Sequence, residues 1–197
     1  VNLTGWRLDR GVDFVFPSVT VPAGGYVVVA SNPTAFAARY GSVGTVVGPW
    51  QGNLSNSGEE IELEDALGNR VDIVLYADEG EWSVRRRFSG NGLEWYSEHD
   101  GLGKSLELVN MRLDNSIPQN WAPSLTPNGT PGALNSVATN NAPPLITQVE
   151  HSPAVPKSSE PVTIKALVVD ESTGGLTVTL RYRNVNDVNF SSTQMFD

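Results

Sequence analysis

Glu60-Ile61-Glu62-Leu63-Glu64, then Asp65-Ala66-Leu67-Gly68-Asn69, then Arg70-Val71-Asp72-Ile73-Val74-Leu75, is the stretch on which the fold class turns. Its first segment alternates carboxylate and aliphatic residues without a break, the period of a strand with one buried face. The third alternates again through Val71, Asp72 and Ile73, with Leu75 beyond. Between them, Gly68 and Asn69 tolerate positive φ, so the chain can reverse there. The pattern predicts a β-hairpin with Ile61 and Leu63 on the same buried face as Val71, Ile73 and Leu75. Glu60, Glu62 and Glu64 fall on the opposite face, which is expected to be solvated.

Outward from this hairpin the signals stay short and strand-like. Val12-Asp13-Phe14-Val15-Phe16 alternates in part and stops at Pro17. Tyr26-Val27-Val28-Val29-Ala30 is a continuous apolar run, which predicts a strand buried on both faces. One helix is expected: Asn32 can cap it, Pro33 suits its first turn, Phe36 and Tyr40 share a face, and Gly41 can end it. The fold class is therefore all-β with one or two helical turns.

Asn, Pro, Ser and Gly dominate from Asn110 to Asn141, and Asn140-Asn141-Ala142-Pro143-Pro144 has the chemistry of a linker. The expected domains are residues 1–137 and 145–197, joined by a hinge over 138–144. In the second unit, Val162 to Val169 and Leu176 to Arg183 alternate as strands. That unit falls well short of the ~100 residues of a complete sandwich. It is expected to form three to five strands, with Leu176, Val178, Leu180 and Tyr182 lining an uncovered face with Val162, Ile164 and Val168. A start at Val1, inside a strand, predicts unpaired backbone groups beside residues 2–8 or the neighbouring strand of the sheet, and both ends are read as cuts in a longer chain.

Thirteen Lys and Arg stand against 22 Asp and Glu, a formal charge of −9. An acidic chain gains nothing from the counterion release that drives nucleic-acid binding, so no nucleic-acid partner is expected. With no cysteine there are no disulfides, thiol nucleophiles or cysteine-based zinc sites. The only histidines, His99 and His151, lie far apart. No apolar run approaches the ~20 residues of a membrane-spanning helix, so no membrane insertion is expected.

Leu3-Thr4-Gly5-Trp6-Arg7-Leu8 resembles the Leu-x-Gly-Trp-x-Leu strand of lamin-tail domains of the bacterial type. Leu54-Ser55-Asn56-Ser57-Gly58-Glu59, continuing into Ile61-Glu62-Leu63, is similar to that family's hairpin, and Gly68-Asn69-Arg70-Val71-Asp72 to its return strand. Ser105-Leu106-Glu107-Leu108, Asn120-Trp121 and Gly129-Thr130-Pro131-Gly132-Ala133-Leu134-Asn135 resemble its closing motifs. The resemblance covers residues 1–136. It implies an immunoglobulin-like sandwich in a large exported bacterial protein, extracellular or at the cell surface. The strands that usually precede the Leu-x-Gly-Trp strand in that family are absent before Val1.

Catalysis is not expected. No Gly-x-Ser-x-Gly elbow accompanies His99 and Asp100, and strand residues follow Ser105. Gly90-Asn91-Gly92 and Gly101-Leu102-Gly103 read as turns, without the residues of a phosphate loop, and no cofactor is implied. Asp170 and Glu171, or Asp78, Glu79 and Glu81, offer hard oxygen ligands but lack the spacing of a calcium loop, so no metal site is expected. Trp6 and Trp121 read as core or loop anchors. The remaining concentration is Trp82, Arg85, Arg86, Arg87, Trp95 and Tyr96, a basic and aromatic segment read as a loop between strands. Those residue types are enriched at binding hot spots, and the other reading of Trp82, Trp95 and Tyr96 is that they plug the open end of the sandwich. The expectation is a non-catalytic structural or adhesive module whose partners are other domains of its parent protein and a protein or polysaccharide ligand. The alternatives are an accessory carbohydrate-binding module or a non-catalytic region of an exported hydrolase.

Overall fold

The computed structural model describes residues 1–87, 92–172 and 174–196. Gly90 and Asn91 of one expected turn, and Thr173 of another, lie outside the described residues. The chain divides into two units, Val1–Ala142 and Pro143–Asp197. The first contains β1 (Arg7–Asp9), β2 (Val12–Val15), β3 (Val27–Val29), helix α1 (Pro33–Tyr40), β4 (Thr45–Val47), β5 (Gln51–Gly52), β6 (Gly58–Glu64) and β7 (Arg70–Ala77). It continues with β8 (Val84–Arg87), β9 (Leu93–Tyr96), β10 (Leu106–Leu108) and β11 (Trp121–Pro123). Among the described residues the fold is all-β apart from α1 and two short 3-10 turns. Among the described residues no helix is long and apolar enough to cross a membrane.

An antiparallel sheet in the order β5-β2-β1-β6-β7 organises the first unit. Alternation along β2 buries Val12 and Phe14 and exposes Asp13 and Val15. Phe14 meets Phe16 edge-on, ring centroids 5.1 Å apart. Leu3 joins them, and Trp6, Leu8, Val27, Val29, Val47 and Leu63 pack around this cluster. Burying each phenylalanine contributes roughly 1.5–3 kcal/mol. Of the two places expected to carry a bare edge, residues 2–8 do not, while the neighbouring β2 is paired on its outer side, among the described residues, only at Val12 and Asp13. β1 lies between β2 and β6, and Asn2 bridges Thr20. A strand short of outer neighbours was expected, but the tight turn into β2 and the long-range return of β6 cover both its sides.

The hairpin forms over the expected residues, in a different register. Ile61 faces Val74 and Leu63 faces Asp72, whereas Glu60 faces Leu75 and Glu62 faces Ile73. Facing residues share a side of a sheet, so Ile73 and Leu75 lie with the glutamates, and Leu75 is 61% exposed. The cause is local. Asp65 Oδ1 accepts from the backbone N–H groups of Leu67 and Asn69 at 2.8 and 2.9 Å, which fixes the turn. The ladder then steps from Glu64–Arg70 to Leu63–Asp72, leaving Val71 as an extra residue. One extra residue sends every later side chain to the other face.

Tyr26–Ala30 also differs from expectation. Only Val27–Val29 is strand, half-buried, paired in parallel with β4 through α1. Tyr26 is exposed, because the other side of this short pair is not covered as a central strand would be. Helix α1 starts and ends where its caps require: Asn32 Oδ1 accepts from Ala35 N at 2.9 Å, and Gly41, at φ 71°, donates to Ala37 O. Asn32→Ala is expected to cost about 1 kcal/mol of stability in urea titration. Asn32→Asp should restore most of it.

In the second unit, β12 (Leu145–Ser152) pairs with β13 (Thr163–Val169), and β14 (Thr179–Tyr182) with β15 (Ser191–Gln194). Leu176 and Val178 precede the strand rather than belonging to it. They line, with Leu167, Val168, Met195 and Phe196, an open cleft of about 490 Å³.

Candidate functional site

The segment expected as a loop is instead a two-stranded ribbon. Val84 faces Tyr96, Arg85 faces Trp95, Arg86 faces Glu94 and Arg87 faces Leu93. It escapes sequence reading because no apolar alternation marks it. Arginine–aromatic contacts do that work across the strands. The Arg85 guanidinium lies 4.5 Å from the centroid of Trp95, and that of Arg86 lies 3.6 Å from Tyr96. Such stacking contributes about 0.5–1 kcal/mol at an exposed site.

The two sides of the ribbon differ. Arg86 Nε also pairs with Glu94 Oε1 at 2.9 Å, so this guanidinium is neutralised. Arg85 and Arg87 lie on the other side with Leu93 and Trp95, and among the described residues no carboxylate is within ion-pairing distance of either. Trp95 is 37% exposed and Leu93 more so. A guanidinium stacked on an indole keeps its N–H edge free for a carboxylate or phosphate while losing little further freedom on binding.

At the base of the ribbon the side bearing Tyr96 borders a cleft. Trp82 and Trp121 stand with ring centroids 6.1 Å apart and planes inclined by 45°. With Tyr96, Val84 and Pro123 they line about 300 Å³, with Glu81, Ser97 and Glu98 also on the wall. Trp82 and Tyr96 were expected at a site; Trp121, expected only as an anchor, completes it. No local signal could have placed it there, since it arrives by long-range pairing of β10 with β11, where Leu108 faces Trp121.

That pairing rests on two buried polar side chains. Glu107 is 4% exposed. Its Oε1 accepts from the hydroxyls of Ser105 and Thr130 at 3.2 and 2.7 Å, and its Oε2 from Ser136 N and Oγ, both at 2.7 Å. Burial pushes this carboxyl up, but donation by Ser136, Thr130 and Ser105 outweighs it and holds the group below its ordinary 4.5. Asn120, fully buried, accepts from Asn110 N at 3.0 Å and donates to the carbonyls of Asn110, Leu113 and Asp114 at 2.9 to 3.3 Å. Next to it, Trp121 Nε1 donates to Asn115 O at 2.8 Å, and Asn115 Nδ2 donates to both oxygens of Asp72 on β7 at 2.9 and 3.0 Å.

The other chemical candidates resolve into local roles. The acidic face of β6 is not simply solvated. Arg10 pairs with Glu60 at 2.8 Å and with Glu62 at 3.0 Å, and Glu62 is only 8% exposed. The two-residue turn Arg10-Gly11, both at positive φ, folds the arginine back over β6. Gly11 sits at φ 69°, a conformation glycine enters without strain, and a Cβ there would also displace the Glu59 side chain. His99 contacts Ser97 Oγ and Ala77 O, whereas Ser105, drawn on for Glu107, takes no part with it. Among the described residues no three His, Asp or Glu side chains converge as a metal site would need. No protein-family model matches the chain, and neither a curated protein nor a solved structure matches it.

Proposed function

We propose that the chain is a non-catalytic binding or adhesive module of a secreted or cell-surface bacterial protein. In this reading its first unit is an immunoglobulin-like sandwich of lamin-tail type and its second part of a further immunoglobulin-like domain. The ribbon β8–β9 is the contact surface. The observation that carries the reading is the solvent-facing group of Arg85, Arg87 and Trp95, two cations without an ion-pair partner among the described residues of a chain of net charge −9. Arg85 stacks on Trp95 within the ribbon yet has no carboxylate partner among the described residues, and Arg and Trp are the types that dominate binding energy when an interface closes over them.

The test is adsorption of the purified chain to isolated bacterial cell envelopes. Trp95→Ala should leave stability within about 1 kcal/mol, as for an exposed residue, and reduce retention roughly tenfold or more. Envelopes stripped with protease should lose retention. A large loss of stability with unchanged retention would make Trp95 a packing residue and remove the proposal.

A carbohydrate-binding reading is favoured by the cleft, where Trp82, Trp121 and Tyr96 converge beside polar side chains. Under it, periodate-treated envelopes lose retention while protease-treated ones keep it, and Trp82→Ala is the damaging change.

A further inference from the structure

Strand β8 carries more than its arginines. It pairs with β9 alone, and among the described residues no other backbone group pairs with its outer edge. Alternate N–H and C=O groups of an edge strand point outward and form a template for another strand. β9 also pairs with β8 alone, but every residue of β8 is exposed whereas Glu94 and Tyr96 of β9 are half-buried, and the two arginines without an ion pair among the described residues lie on β8. Along that edge Arg85 and Arg87 project from one side, roughly 7 Å apart by the strand repeat. On the other side Val84 is 62% exposed, beside an Arg86 already paired to Glu94.

Resting on the reading of the ribbon as the contact surface, we infer that β8 captures an extended acidic segment of a partner protein by adding it as a third strand. Its main chain pairs with the outer edge of β8. Side chains of an added strand alternate between faces, so Asp or Glu at every second position meets Arg85 and Arg87, and the intervening apolar residues meet Val84. Cross-strand opposite charges support such a pairing, and the fork of a stacked arginine receives a carboxylate in bidentate fashion. Main-chain bonds supply affinity and the alternate side chains supply specificity. An acidic glycan satisfies the two arginines but not the strand edge, which is why a peptide is the favoured occupant.

Fluorescence anisotropy on the whole chain tests this with a labelled octapeptide alternating Glu and Val. The comparison probes are a peptide of the same composition with its four Glu contiguous, two alternating peptides N-methylated along one edge or the other, and heparin. The alternating peptide is expected to bind. Contiguous glutamates should weaken binding roughly tenfold, and so should N-methylation of one edge but not the other. Arg85→Ala and Arg87→Ala should each weaken it by about tenfold, a typical effect for a charged hydrogen bond. The double change Arg85→Glu/Arg87→Glu, checked by its unfolding midpoint, should exchange the preference for a peptide alternating Lys and Val. Equal binding of all the acidic peptides, heparin binding that outmatches the alternating peptide, self-association of the chain through β8, or no binding at low salt would each overturn the inference. If the peptides fail while Trp95→Ala still abolishes envelope retention, strand capture falls and the binding reading stands. If retention fails too, both fall.

Discussion

Glu107→Leu is expected to destabilise the first unit by about 4 kcal/mol, a large share of the 5–15 kcal/mol that holds a domain together. The carboxylate receives four hydrogen bonds from three residues, spread over the segment from Ser105 to Ser136. Leucine fills the space but strands the N–H of Ser136, which cannot rotate away, and an unmet buried donor costs about 1–3 kcal/mol. Charge-assisted bonds are lost as well. Glu107→Gln keeps one acceptor oxygen and should cost about 1–2 kcal/mol, because hydroxyls can turn to accept where the amide now donates. All five tryptophans lie in the first unit, so urea unfolding followed by tryptophan emission reads this unit alone. The pH dependence has a definite sign. The folded carboxyl titrates below its ordinary value, so its contribution is fully present above the unfolded carboxylate range near pH 4–5. It fades as pH falls through the lower folded value. The gap between wild type and Glu107→Gln should be constant above about pH 5 and shrink below about pH 4. A gap that widened with acid would refute the assignment.

Asn120→Ala should cost about 3 kcal/mol in the same measurement, since it strands the buried N–H of Asn110 and the carbonyl of Leu113 and leaves the carbonyls of Asn110 and Asp114 with only their long backbone bonds. Asn120→Asp is the sharper variant. An ionised carboxylate still accepts from Asn110 N but turns its second oxygen toward three carbonyls. Its penalty at pH 7 should match or exceed that of alanine and ease in acid, where a protonated oxygen can donate again. Because Trp121 follows Asn120 directly, both variants should also blue- or red-shift its emission before global unfolding. An Asn120→Asp protein as stable as wild type at pH 7 would contradict the hydrogen-bond assignment.

Helix α1 was legible because its signals are local: Asn32, Pro33, Gly41 and the Phe36–Tyr40 spacing all lie within one short segment. The hairpin of β6 and β7 was legible as a hairpin, yet its register was not. A period of two shows which residues alternate but is blind to the extra residue at Val71, which turn chemistry inserts. The ribbon β8–β9 was read as loop since its strands are joined by Arg85–Trp95 and Arg86–Tyr96 contacts rather than by an apolar stripe. Five of its six flagged side chains nonetheless sit on it, with Trp82 at its foot. Glu107 and Asn120 stood in plain view, but polarity signals exposure unless donors are known to converge, and these donors come from distant parts of the chain. Trp121 anchors a loop as expected, through Nε1 to Asn115 O, and its place on the cleft beside Trp82 was hidden for the same reason.

The amide of Asn115 resting on Asp72 has a consequence for anyone keeping this protein at high concentration. β7 is the long outer strand of the main sheet, with Val71 and Leu75 largely bare. A strand of that kind is where molecules queue into fibrils once it lies open. One exposed side-chain clasp, from Asn115 in the segment that ends in Trp121, ties that segment to Asp72 near the start of the strand. Shelf life in a concentrated stock is therefore expected to fall when Asn115→Ala removes that clasp, read as turbidity against time, with ligand capture unchanged.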